Sequence, residues 1–391
     1  MKRQLKGINI LLLIEAAVLV IILGLCGAMT GFKRAGVVAV KDEKQENTET
    51  AGSSSGMSSS MEYQFSGQVL DQIEGMSTEQ KVAQLFITTP EELVKSKRVT
   101  KASDKTRDVI NEYPVAGLIY EGRNLESEAQ VRDLLSNTTE YFEEASGVPG
   151  ILAIAENGGD DHSPVAKAFG FDVEASPQEL GDQADANGIS DSAEKRAEYV
   201  RKLGFNTIVG PIADVADGAD EEQDALTFGS DPVIAAEAVS YDISTTQSKG
   251  IACMVKCFPG IKTNQNDLSV YQSAVDAGAE IMMVTRRVSK DVTDSDKTPC
   301  CLSAKTVSML RSDMGYGGIL MTSDLSAEAV TKKYPDGKAA VKAVKAGMNL
   351  IYVRDHFRTN YKAVLEAVES GEIDENTLNA AVGKILESKL R

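Results

Sequence analysis

Seven short apolar runs in this chain each end in residues able to do chemistry: Glu121-Gly122-Arg123-Asn124, Glu156-Asn157, Asp214, Lys256-Cys257, Arg286-Arg287, Thr322-Ser323-Asp324 and Arg354-Asp355-His356. Carboxylates at such positions serve as nucleophiles, or as general acids and bases when their environments set their pKa values apart. A serine needs an adjacent base before it attacks anything, and His162 and His356, the only two histidines, each follow such a run. A pair between Ser323 and a histidine is one reading; solvated or packed loop histidines are the plainer one. Asp160-Asp161-His162 and the run from Asp217 to Asp224 offer metal-type ligands, but neither has calcium-loop spacing or a visible outer shell. Both read as solvated acidic loops, and no metal or other cofactor is expected.

The elements that must position these residues alternate along the chain. Apolar runs at 115–120, 151–155, 206–215, 251–258, 281–284, 319–321 and 350–353 read as seven strands. Helices lie around them. One opens at Ser77, whose capping box with Gln80 precedes Val82, Leu85 and Phe86 at helical spacing. Others cover 131–142, 193–203 with Gly204 as the stop, 233–248 after Asp231-Pro232, the stretch from Ser303 to Gly315, and the last apolar face of Leu378, Ala381, Ile385 and Leu386 behind Asp374. Strict alternation with buried strands predicts an α/β fold with a parallel sheet. No glycine-rich dinucleotide fingerprint follows the first strand, and polar residues recur at the strand ends. Both point to a TIM-type (β/α)8-like barrel.

Composition bounds the rest. The chain has 391 residues, 42% hydrophobic and 25% charged, enough for one large globular domain. A net charge of −17 without a basic stripe excludes nucleic acid as a partner. Tryptophan is absent and aromatics make up 5%, which argues against a simple lectin built on stacking platforms. Lys2, Arg3 and Lys6 precede an apolar run over 8–29 whose one charge is Glu15. At ~1.5 Å per residue such a run spans the roughly 30 Å bilayer core, so it is expected to be a transmembrane signal anchor. A cleaved signal peptide is the alternative, and a lipid on Cys26 is disfavoured by the bulky Leu25 before it. Residues 1–7 are then cytoplasmic, 30–62 form a flexible Ser-, Gly- and charge-rich stalk, and 63–391 fold outside the cytoplasm on a single-pass membrane protein.

Several of these stretches together resemble a known family. They are Tyr113-Pro114-Val115-Ala116-Gly117-Leu118-Ile119 leading to Arg123-Asn124, Pro211-Ile212-Ala213-Asp214-Val215, Phe228-Gly229-Ser230-Asp231-Pro232, Lys256-Cys257-Phe258-Pro259-Gly260, and Gly315-Tyr316-Gly317-Gly318 leading to Ser323-Asp324-Leu325. In this order they resemble the N-terminal barrel domain of glycoside hydrolase family 3, in its β-N-acetylhexosaminidase branch, from about Met76 to the C-terminus. The resemblance implies a retaining exo-glycosidase that removes N-acetylglucosamine, often from cell-wall material such as peptidoglycan.

It also marks departures. Where the family carries Asp-Gln-Glu-Gly-Gly-Arg, this chain has Ala155-Glu156-Asn157-Gly158-Gly159-Asp160, and the arginine expected before Phe228 falls at Leu226. Lys256 and Asp267 are kept, but Cys257 and Ile261 replace two histidines and Ser269 takes the place of the acid/base histidine. Counting without a gap from Gly315-Tyr316 sets Ser323 at the nucleophile; a one-residue slip restores Asp324, and strand alternation makes the two registers chemically different. The expectation is a catalytically impaired, membrane-anchored protein that binds or scaffolds. Arg123, Asn124, Lys256 and Asp267 would keep residual contact with an amino-sugar or peptidoglycan fragment, and an envelope protein is a further candidate partner. The other reading is a working β-N-acetylhexosaminidase with Asp324 as nucleophile and Glu156 or Asp267 as proton donor. Cys253, Cys257, Cys300 and Cys301 allow bridges between the first two and the last two, or four free thiols.

Overall fold

The computed structural model describes residues 64–159, 162–172, 175–218, 224–260, 265–293, 295, 297–335 and 337–391. The expected anchor at 8–29 and the stalk at 30–62 lie outside the described residues. Among the described residues no helix is long and apolar enough to cross a membrane.

Eight strands form the sheet: β1 Phe86–Thr88, β2 Gly117–Tyr120, β3 Ile151–Ile154, β4 Thr207–Ile208, β5 Ala252–Phe258, β6 Ile281–Val284, β7 Ile319–Thr322 and β8 Ile351–Tyr352. Their order is β7-β6-β5-β4-β3-β2-β1-β8, and every paired neighbour is parallel. The ring closes between β7 and β8 through a parallel bridge of Met321 with Leu350, where Thr322 N–H donates to Leu350 O at 2.9 Å. Strands covered on both faces need apolar residues at every position, which is why they read as continuous apolar runs. Burial is complete along every strand except β5.

The expected barrel is therefore present, with one strand more than the seven countable in the sequence. The extra strand is β1. Val82, Leu85 and Phe86 have helical spacing, yet the helix Thr78–Gln84 stops and Leu85-Phe86 already serve the sheet: Ile351 N–H donates to Leu85 O at 2.7 Å and Ala116 N–H to Phe86 O at 2.8 Å. A three-residue strand buried on both sides has no period to read. The run at 206–215 is also shorter as a strand than expected. Only Thr207–Ile208 pair in the ladder, and Ile212 returns as an isolated partner of Lys256.

The expected helix starts are built as capping chemistry requires. The Ser77 and Gln80 side chains accept from each other's backbone N–H, and Asp231, Ser303 and Asp374 accept from N–H groups of Val233, Thr306 and Thr377. Behind Ser303 the helix Ala304–Ser308 widens into a π-turn over Met309–Asp313 instead of running on regularly. There the buried Arg311 guanidinium donates to Tyr316 O, Gly318 O and Asn349 Oδ1, each at 2.7 Å, and Asn349 Oδ1 also accepts from Leu320 N–H at 2.8 Å. One arginine thus ties the approach to β7 to the approach to β8, where the barrel closes.

Candidate functional site

The loops after β1, β2, β7 and β8 make one side of the barrel mouth. After β2 the chain makes a single 3-10 turn, Gly122–Asn124, held from below by Asn124. That side chain is fully buried: Nδ2 donates to Glu91 Oε1 at 2.6 Å and Val99 O at 2.8 Å, and Oδ1 accepts from Glu121 N–H at 2.8 Å. Its amide is spent on shaping the turn. Arg123 beside it is half-exposed and pairs with the Glu121 carboxylate, and Arg354, from the end of β8, pairs with the same carboxylate. Glu121 is therefore a strap over β1, with a guanidinium on each oxygen.

Asp324 completes this side. Its Oδ1 accepts from Ser326 N–H at 2.9 Å, Ser326 Oγ at 2.5 Å and Arg354 N–H at 3.1 Å, so the carboxylate orders the turn after β7 and the loop after β8 together. Tyr352 sits among Arg354, Asp324, Glu121 and Arg123; burial above all keeps its phenol protonated. No sequence signal marked Tyr352, because it lies inside an apolar run.

The loop after β3 is sealed. Glu156 is 1% exposed and accepts from Val165 N–H at 2.9 Å, Ala166 N–H at 3.1 Å and Tyr199 Oη at 2.7 Å. Burial raises its pKa, against the pull of these donors and of Arg196. Arg196 in turn is paired with buried Asp242, whose own pKa burial also raises. This buried network leaves Glu156 no line to solvent.

The far side of the mouth carries the stretch with the kept lysine. The ladder between β5 and β6 shifts register between Val255 and Phe258, which turns Lys256 and Cys257 out of the regular strand. Lys256 is partly exposed, while its backbone accepts from Ala213 N–H at 2.7 Å and donates to Pro211 O at 2.9 Å. Burial raises the Cys257 thiol's pKa; the charges of Lys256, Arg287 and Arg286 oppose that rise and buried Asp214 adds to it. Asp267 and Ser269 fall on the helix Gln265–Asp276, where Ser269 is exposed; the Asp267 side chain lies outside the described residues. The four described cysteines, Cys253, Cys257, Cys300 and Cys301, are free thiols.

The two candidate nucleophiles are in different surroundings. Thr322 is fully buried, its Oγ1 accepting from Tyr352 N–H at 3.0 Å. Ser323 is 7% exposed, with its Oγ buried against the Cys301 thiol in a contact looser than a hydrogen bond and no hydrogen-bond partner. Asp324 alone of the three reaches partly into solvent. No described histidine serves Ser323 as a base: His356 is exposed, with Nε2 4.0 Å from Asp355. Among the described residues no three His, Cys, Asp or Glu side chains converge as a metal site would require. A groove of about 880 Å³ runs between the helices Lys338–Ala346 and Phe357–Glu369, over Leu302, Val341 and Ala367, and none of the strand-end residues above line it.

Comparison with known proteins agrees with this geometry. Residues 77–388 match the model of the glycosyl hydrolase family 3 N terminal domain. The chain is 24% identical over 244 residues to the β-hexosaminidase LpqI of Mycobacterium tuberculosis, covering 55% of this chain and 62% of that one. It is 24% identical over 258 residues to a β-hexosaminidase of Xanthomonas campestris, covering 59% and 74%. It thus spans about three-fifths of the length of the mycobacterial relative. Among solved structures, a family 3 β-N-acetylglucosaminidase from Paenibacillus superposes with a TM-score of 0.74 at 27% identity over 81% of this chain and 62% of that one. A β-N-acetylhexosaminidase from Beutenbergia cavernae, at 21% identity and a TM-score of 0.68 over 81% and 99%, shares the fold. With the family-like stretches in order along an eight-stranded parallel barrel, the chain belongs to glycoside hydrolase family 3, whose N-terminal barrel domain it carries in the form most like the β-hexosaminidase branch.

Proposed function

We propose that this protein is a catalytically impaired family 3 barrel that binds amino-sugar glycan, such as peptidoglycan fragments, at its strand ends. The apolar segment 8–29 holds it to a membrane with the barrel on the extracytoplasmic side, and an envelope protein is a further partner for such a tethered domain. The observation that carries this reading is the state of the mouth carboxylates. Retaining hydrolysis needs one carboxylate free to attack the anomeric carbon and a second group to protonate the leaving oxygen. Glu156 is buried under three donors, Glu121 is held by two guanidiniums, and Asp324 spends Oδ1 on three donors. Ser323, in the ungapped nucleophile register, has no base. Loss of a single catalytic group from a nucleophile–base enzyme has lowered turnover by ~10⁴ to 10⁶, so this combination leaves no useful rate.

Binding would fall to Arg123, Lys256 and Asp267, with Asn124 shaping the turn that presents Arg123. The partial exposure of Asp324 favours one second reading, a working hexosaminidase with that residue as nucleophile. The purified full-length protein, incubated with 4-nitrophenyl N-acetyl-β-glucosaminide, distinguishes the two. No release above background, together with calorimetric binding of N-acetylglucosamine oligomers, is the expected result. Turnover that disappears in Asp324→Asn would establish the second reading instead.

A further inference from the structure

The cations of the mouth divide into two kinds. On the β2/β8 side Arg123 and Arg354 both pair with the Glu121 carboxylate. On the β5/β6 side Lys256, Arg286 and Arg287 make no side-chain hydrogen bond or ion pair with any described residue. Their strands are neighbours: Phe258 is opposite Val284 and Thr285 N–H donates to Phe258 O at 2.8 Å, so Lys256 stands just before that level on β5 and Arg286 and Arg287 just beyond it on the loop after β6. Both arginines are exposed and Lys256 is partly so. All three act electrostatically on the Cys257 thiol, and Arg286 acts as well on the Cys301 thiol, which lies against Ser323. The carboxylate that acts on the same Cys257 thiol, Asp214, is 1% exposed and has Oδ1 engaged by Val215 N–H at 3.1 Å.

Three neighbouring cations repel one another, and the repulsion rises as the local dielectric falls below that of water. In a chain of net charge −17 there was no shortage of carboxylates to pair them. Uncommitted to any described residue at the barrel mouth, they make a positive spot that attracts an anion of matching size. A guanidinium adds a planar fork suited to carboxylate or phosphate oxygens.

We propose that Lys256, Arg286 and Arg287 form a subsite at the ends of β5 and β6 for the anionic group of a charged sugar, a carboxylate or a phosphate ester. This rests on the reading that the mouth takes a glycan and sharpens it, since a neutral amino sugar would leave the three cations unanswered.

Titration calorimetry on the full-length protein tests it with four probes: N-acetylglucosamine, N-acetylglucosamine 6-phosphate, glucuronic acid and inorganic phosphate. A charge-assisted contact adds enough for at least about tenfold tighter binding of one charged sugar than of the neutral one. The arm that responds tells phosphate ester from carboxylate. That advantage is expected to vanish in Arg286→Gln/Arg287→Gln, to persist in Arg286→Lys/Arg287→Lys, and to shrink with added salt. Charged and neutral sugars binding alike, or an advantage that survives the double glutamine variant, overturns the subsite and leaves glycan binding standing. Inorganic phosphate binding that depends on the two arginines, with no sugar bound, keeps the subsite and overturns the glycan reading. No binding of any probe overturns both. Because both arginines are exposed, the variants should retain the thermal transition of the parent protein.

Discussion

Ser323 and Asn124 show how differently a side chain can stand from what its place in a motif implies. Ser323 lines up with a nucleophile in the ungapped register, yet its hydroxyl is packed against a thiol. Replacing it with the family's aspartate would bury a carboxylate beside a thiol where no described residue donates to the present hydroxyl, and burying an unpaired charge costs several kcal/mol unless the group stays protonated. Ser323→Asp is therefore expected to lower the thermal midpoint and to yield no hydrolysis; a variant that kept its stability and gained turnover would show the pocket to be open. Asn124 was expected to keep a residual sugar contact from its place at a strand end in the family-like stretch leading to Arg123-Asn124. With all of its amide committed inside the protein, Asn124→Ala should cost about 1–3 kcal/mol for the buried groups left unpaired. Chemical denaturation should show that loss, and glycan affinity should fall only as far as the turn holding Arg123 loosens. The sequence pattern carried which residues stand at strand ends, because apolar runs mark the strands. It could not carry which of them are committed, since Glu121 and Arg354 are 233 positions apart and meet only because β8 lies beside β1 in the closed ring.

At the level of elements, seven of the eight strands and the helix caps at Ser77, Asp231, Ser303 and Asp374 were legible for local reasons: two-sided burial and hydrogen bonds three residues long in sequence. β1 was not, because its residues continue a helical spacing and only pairing with β2 and β8, far along the chain, makes them a strand. Closure depends on equally distant contacts. Arg311 satisfies two carbonyls and shares Asn349 Oδ1 with Leu320 N–H at the approach to β7 and β8, so Arg311→Met should leave the two carbonyls without that donor and cost at least ~2 kcal/mol. Gly117 gives a sharper test of the sheet. A methyl added there would stand 2.1 Å from Ile151 O, within the β2–β3 ladder. Gly117→Ala is expected to be recovered largely insoluble or with a strongly lowered thermal midpoint, whereas Gly170→Ala, with open space around it, should be far milder and lose only the ease of a left-handed turn.

For the whole molecule, buried titrating groups on opposite sides of neutrality set where the fold is most stable. Lys389 donates to Gln84 Oε1 at 2.9 Å, and burial brings its pKa down to about 7. Its ordinary value is ~10.4, so between about 7 and 10 the unfolded chain holds a proton there that the folded chain has released, and stability rises with pH across that interval. Below it the native state carries a buried ammonium and the full burial penalty. The thiols act in the other direction. Burial raises Cys300 to about 11 and Cys301 to about 12, and lifts Cys253 and Cys257 as well. Free thiols titrate near ~8.5, so above that the unfolded chain sheds protons that the folded chain keeps, and each thiol then lowers stability as pH climbs. One rising contribution from about 7 and four falling ones from about 8.5 place the maximum of thermal stability between those values. Scanning calorimetry under reducing conditions from pH 6 to 10 should trace that maximum. Lys389→Met should remove the rise on its acid side and leave the fall above it unchanged, while an unaltered profile would mean that the ammonium stays solvated in the folded protein.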